Sequence, residues 1–475
     1  MPGTTVIRNA DWVVAFEDGR HVYKKNADVA FADGVVTHIG RVDHAADTEI
    51  DGAGRLIMPG LVNIHSHPTS EAMNKGFLDE LGSPKLYMSS LYEFMPLFRP
   101  DEEGRRACVE VTYSELLQSG VTTLVDLSIP FEGWLDLMAQ SGLRVVAAPM
   151  YRSARWYTRN GHVVDYEWVD DGGRAVMDEA LAYVDAAVAH PCGRLSGMVA
   201  PAQIDTCTGD LIADSFAAAQ ERGLTMQIHA AQSIVEFHEI TRRHGKTPVE
   251  WLDDLGVLRA GAVIGHGIFL NDHPWVHWPQ ADDFATLKAS GTAVAHCPTV
   301  FQRRGITMNT VGRYIRNGIP VGVGTDTYPH NMLEELRNAL TNSRVISGDP
   351  FDLRTSDIFN AATIGGAAIL GREDIGRLAP GAKADIVSVD ITDRAMMPVR
   401  DPLRSLIYVA AERAVRDVYI GGEQVVKDGV ALAFDIPDAL SRLQAAQRRA
   451  EEQFARLDFA GRTHDEASPY TFAVR

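Results

Sequence analysis

Along the middle of the chain, short and almost uninterrupted apolar runs alternate with longer stretches whose apolar residues recur at every third or fourth position. The runs are "LVNIHSH", "VTTLVDLS", "RVVAAPMY", "LSGMVAPAQ", "TMQIHAAQ", "GAVIGHGIF", "TAVAHCP" and "PVGVGTDTY". Runs that stay apolar at successive positions suit strands buried on both faces. The stretches between them, such as "EEGRRACVEVTYSELLQSG" and "DSFAAAQERGLT", suit amphipathic helices. Eight strands alternating with helices predict an α/β protein with a (β/α)8 TIM barrel over residues 56–378.

The flanks have a different texture. Residues 1–55 carry alternating segments, "TTVIRNADWVVAF" and "ADVAFADGVVTHIG", with hairpin signals at Asp18-Gly19 and Asp33-Gly34. Similar β-rich pieces, "GAKADIVSVD" and "VRDVYIGGEQVVKDG", return within 379–435. The remainder, 436–475, predicts a helical tail with Leu440, Leu443, Ala446, Ala450, Phe454 and Leu457 on one face, packing on its own domain.

Composition narrows the classes. The 475 residues include 45 Lys plus Arg against 63 Asp plus Glu, a formal charge of -18. Without a basic stripe such a chain is unsuited to nucleic acid. No apolar run is long enough for a bilayer, so no membrane partner is expected. Four cysteines, Cys108, Cys192, Cys207 and Cys297, lie without CxxC spacing, which fits a reducing cytoplasm better than a disulfide framework. The N-terminus lacks the features of a signal peptide.

In a barrel of this kind chemistry sits at the carboxyl ends of the strands. The first strand ends in His65 and His67, the fifth in His229, the sixth in His266, the seventh in His296 and the eighth in Asp326. Residues two apart share a face, so His65 and His67 can both point to the mouth while Ser66 points away. His65, His67, His229 and Asp326 form a mixed nitrogen and oxygen set suited to one divalent ion. Zn(II) comes first, with Fe(II), Co(II) or Mn(II) as alternatives. Its purpose would be to bring water to hydroxide near neutral pH.

These motifs together resemble the amidohydrolase superfamily: "PGLVNIHSH" for the first strand, "IHAAQ" for the fifth, "GHG" for the sixth, "AHCP" for the seventh and "GTDTYP" for the eighth. The resemblance implies a small β-sandwich built from both chain ends. It also implies that His65, His67, His229 and Asp326 hold the metal, that Asp326 takes the proton of the attacking water, and that His266 stabilises the oxyanion. Two-metal relatives carry a bridging lysine on strand four; "LSGMVAPAQIDTC" has none, so one metal is expected.

One departure bears on the reaction. Deaminases of the superfamily show His-x-x-Glu on strand five, whereas this chain has His229-Ala230-Ala231-Gln232. An amide cannot act as a general acid or base, so ring-nitrogen protonation loses its usual agent. Hydrolysis of a linear C–N bond needs only Asp326 to move the proton. With "HSHPTSEAMNKGF", the strand-five motif is most similar to phenylurea and molinate hydrolases, which implies cleavage of an N-aryl urea, a carbamate or an amide, with Gln232 orienting the substrate. The alternative is a deaminase or dechlorinase of a triazine- or pterin-like ring; a silent scaffold would not be expected to retain every ligand. Trp156 and Tyr157 after strand three, Gln203 at the end of strand four and His296 are the candidates for substrate contact, although His296 taken alone suits a structural role. The expected partner is a small molecule, in a homo-oligomer.

Overall fold

Eight parallel strands pair in chain order in the computed structural model, which describes residues 3–77, 86–87 and 91–475. They are Leu61–Ser66 (β1), Val121–Ser128 (β2), Arg144–Tyr151 (β3), the broken pair Leu195–Gly197 and Ala200–Pro201 (β4), Met226–Ala230 (β5), Ala262–His266 (β6), Ala293–His296 (β7) and Val321–Val323 (β8). Continuous pairing runs from β1 to β4 and again from β5 to β8. Isolated parallel bridges join the two halves, Val199 with Met226 and Gln203 with His229 on one side, Ser66 with Asp326 on the other. The two four-strand groups are thus linked at both edges by single bridges rather than by continuous ladders.

Residues along these strands are buried on both faces, as their unbroken apolar pattern requires. Val125, Leu127, Val146, Ala148, Met198 and Val263 belong to one compact cluster. Their sequence neighbours Leu124, Val145, Ala147 and Ile264 join a larger cluster with helical residues such as Leu116, Phe216 and Phe237. The same strands thus feed two cores.

The chain ends share one nine-stranded sheet. Thr5–Glu17 and Arg20–Ala32 form a hairpin whose turn residues, Asp18 and Gly19, have φ of 50° and 77°, the two left-handed residues of a tight reversal. Arg55–Pro59 lies between the first of these strands and Ile386–Asp390. Sheet and ring meet at a buried bidentate ion pair: Arg144, at the start of β3, donates to Asp385 over 2.7 and 3.0 Å.

Glu102–Gln118 (α1), capped by Asp101 accepting from the Gly104 backbone N–H, receives the C-terminal helix Ile436–Leu457 (α2). Ala439, Leu443, Ala446, Ala450 and Phe454 of α2 pack with Ala107, Cys108 and Val111 of α1 and with Phe94 and Phe98. Two members of the expected stripe, Leu440 and Leu457, face outward instead, since the buried seam follows the residues nearest α1.

Candidate active site

Strand ends bring five side chains to one point. Asp326 Oδ1 lies 3.1 Å from His67 Nε2 and 3.6 Å from His65 Nε2, and its Oδ2 lies 3.5 Å from His266 Nε2. His229 Nε2 is 3.3 Å from His67 Nε2. Ligand atoms about 2.0–2.2 Å from a shared tetrahedral ion stand about 3.3–3.6 Å from one another, so these spacings match a four-ligand cage.

The orientation of the rings supports the same reading. His67 Nδ1 donates to the Leu127 carbonyl over 2.6 Å, His229 Nδ1 to the Ala202 carbonyl over 2.6 Å, and His65 Nδ1 to Gln227 Oε1 over 2.5 Å. Each proton held on the outer nitrogen leaves a lone pair on the inner one, the arrangement that metal-binding histidines use. His65 Nε2 is buried with no hydrogen-bond partner, an orphan that an ion would satisfy. Burial holds His229 and His266 well below the ordinary imidazole pKa. It would raise Asp326, but the surrounding imidazoles, His266 first, outweigh it and hold the carboxyl well below the usual carboxylate range. The residues present fit a single divalent cation.

Backbone geometry seats these groups. Asp326 has a left-handed φ of 57°, held by backbone bonds from His67 N to Asp326 O and from Asp326 N to His65 O, both 2.9 Å. Such a conformation in a non-glycine residue costs about 1–3 kcal/mol and persists where its surroundings impose it. The glycines of "GHG" and "GTD" have a steric purpose. A Cβ on Gly265 would stand 2.8 Å from His65 Cε1, and one on Gly324 would stand 2.6 Å from His65 Cβ. Ser66 points away from the cage, toward His330.

The cage opens into a cavity of about 210 Å³ lined by Gln203, Gln232, Trp156, Phe301 and Glu71, among others. Gln232 is buried with its Nε2 unpartnered, and Glu236 fixes the local backbone by accepting from Ala231 N and Gln232 N. Gln203 Oε1 accepts from Thr206, and Trp156 Nε1 donates to Asp205. Two expected contacts lie elsewhere. Tyr157 is outside the lining and under the Arg159 guanidinium, because its neighbour Trp156 takes the inward side of the strand Ala154–Tyr157. His296 occupies a narrow recess behind His266 and Phe301, where burial pulls its pKa to about 3.

Among the lining residues that the sequence reading passed over are Glu71 and Arg304. Glu71, in the short turn Glu71–Asn74 after β1, is buried and accepts from Ser70 and Asn74; burial pushes its pKa up against the opposing charge of His67. Its signal was an acid four residues beyond His67 in "HSHPTSE". Arg304 is half-buried, with its Nη2 buried and unpartnered. The Gln227 partner of His65 was visible as a polar residue inside an apolar run, whereas the carbonyl acceptors of the other histidines leave no trace in sequence.

Residues 56–425 match the amidohydrolase family, and the chain belongs to it. It is a hydrolytic enzyme acting on C–N bonds. A 5-methylthioadenosine/S-adenosylhomocysteine deaminase of Pelotomaculum thermopropionicum is 28% identical over 407 residues, 84% of this chain and 87% of that one. A zinc-bound adenosine deaminase of Xanthomonas campestris superposes with a TM-score of 0.79 at 21% identity, covering 94% of this chain and 98% of its own. A triazine hydrolase of Arthrobacter aurescens does so at 0.79 and 21%, over 94% and 99%. The expected kinship with phenylurea and molinate hydrolases is corrected by these relatives, whose names place them with deaminases and a ring hydrolase. No helix among the described residues is long and apolar enough to cross a membrane.

Proposed function

We propose that the protein is a mononuclear metal-dependent aminohydrolase of a nitrogen heterocycle, its site at the mouth of a (β/α)8 barrel carrying a β-sandwich of both chain ends. The observation that favours this over linear C–N hydrolysis is the match to a deaminase along 84% of the chain. His65, His67, His229 and Asp326 would hold the ion, Zn(II) by preference, which supplies the Lewis acidity that makes water a nucleophile at neutral pH.

The chain's own groups divide the remaining work. Asp326, ionised, accepts the proton of the attacking water and returns it to the departing nitrogen. His266, neutral and 3.5 Å from Asp326 Oδ2, orients that exchange and faces the developing oxyanion. Gln232 offers its unpartnered amide N–H to a ring nitrogen. It hydrogen-bonds but cannot protonate. Glu71, the other carboxyl of the lining and one that burial keeps protonated to higher pH, is the group we assign to supply that proton.

Gln232 also favours a second reading, hydrolysis of a urea, carbamate or amide, which needs no ring protonation. The zinc-loaded protein assayed against adenosine-type aminated rings and N-aryl ureas separates the two. Ammonia release that falls about 10²-fold or more in Asp326→Asn and in Glu71→Gln is expected. Aniline release from ureas, with aminated rings untouched, would replace the first reading by the second.

A further inference from the structure

A protein of net charge -18 places an excess of positive charge in the cavity that opens from the cage. The ionisable lining sets Arg99, Arg105, Arg152 and Arg304 against the carboxylate of Asp326 and the carboxyl of Glu71, which burial keeps protonated to higher pH. Asp326 is committed to the cage and Glu71 to Ser70 and Asn74. None of the four guanidinium groups has a carboxylate partner among the described residues.

At the outer wall several described acids near these arginines are bound to other groups. Asp101 and Glu103, which flank Arg99 and Arg105, bind Arg449 of α2 over 2.6, 3.0 and 3.2 Å. Asp205, near Arg152, accepts from Trp156 Nε1 and Tyr166 OH, both at 2.8 Å. Arg155 is paired with Glu167. Three arginines, just before α1, in its first turn and just after β3, thus line one cavity without a carboxylate partner among the described residues. Desolvation by the wall, then the charges of Arg152, Arg105 and Arg155, pull the exposed Arg99 guanidinium to a pKa of about 10. Like charges gathered in a cavity cost free energy unless an anion joins them, and guanidinium forks match oxyanions.

We propose that Arg99, Arg105 and Arg152 form an oxyanion subsite that holds a carboxylate or phosphate arm of the substrate while its reacting end lies at the cage. The inference rests on the heterocycle reading only for what lies at the cage; the arm itself is read from the arginines. In contrast to a buried ion pair that merely holds the fold, such a subsite changes which molecules enter.

Calorimetric titration of the zinc-loaded protein with phenylacetate, phenyl phosphate and neutral phenylacetamide tests it without turnover. Either anion should bind about tenfold or more tightly than the amide. The preference should disappear in the double variant Arg99→Gln/Arg152→Gln and shrink in Arg105→Gln, while Arg152→Lys keeps part of it. The better of the two anions identifies the arm. Equal binding of all three probes overturns the proposal, as does a preference that survives in the double variant, since the anion then sits on the metal. If the double variant does not fold, an unchanged preference in Arg105→Gln overturns it. Anion binding without hydrolysis of any aminated ring would sink the proposed function and leave the subsite standing.

Discussion

At the scale of single residues the site depends on where protons sit. Four cage residues were legible because histidine and aspartate at strand ends have few structural uses in an apolar run. Their tautomers were not, because carbonyls of Leu127 and Ala202 set two of them and a backbone acceptor has no letter of its own. Gln227 is the exception, and it can be tested. In Gln227→Leu, His65 loses the acceptor of its Nδ1 proton, and the ring can turn its proton inward. Zinc affinity is expected to fall about 10–100-fold, measured by competition with a chelator, with little change in secondary structure. Unchanged affinity would show that packing alone orients His65. Tyr157 and Trp156 mark the limit of reading aromatics from a loop, since strand parity, invisible until Ala154–Tyr157 is seen to pair with Asp165–Trp168, decides which of two neighbours enters the cavity.

Among elements, the strong signals were the buried strands, because a parallel sheet covered on both sides demands apolar residues at every position. The contact between the terminal sheet and the ring was unreadable, for it depends on residues 241 apart. Arg144 and Asp385 are both buried, and Asp385 also accepts from Gly421 N over 2.8 Å. Removing one partner strands the other charge. Asp385→Ala is expected to destabilise the protein by about 3–5 kcal/mol, and Arg144→Met/Asp385→Leu together by much less. Denaturant midpoints of the two variants decide this; a double variant as weak as the single one would show the pair to be net stabilising. The outward Leu440 and Leu457 show why a helical stripe overstates a buried seam: α2 meets one partner helix, whose contact is narrower than the apolar face.

For the whole molecule, buried neutral histidines set the response to acid. Burial lowers His21 to about 4 and His296 and His330 to about 3, against 6.5 for an exposed ring. Below pH 6.5 the unfolded chain takes up protons that the folded one refuses, so stability falls as pH drops from 6.5 toward these values. Each group contributes about 1.4 kcal/mol per pH unit in that window. The urea midpoint of chelator-treated protein is therefore expected to be markedly lower at pH 5 than at pH 7, and the slope shallower in His21→Gln. A midpoint independent of pH would mean that these rings stay accessible to protons.

The bridge between Ser66 and Asp326 joins the chain beyond the eighth strand to the first, with His65 and His67 flanking Ser66 and Asp326 itself a cage residue. A cation there would work as a clasp on the fold's own seam. Chain cut between β4 and β5 would leave His65 and His67 on one fragment and His229 and Asp326 on the other, so neither piece alone could grip the ion, and zinc would report, and promote, their reunion.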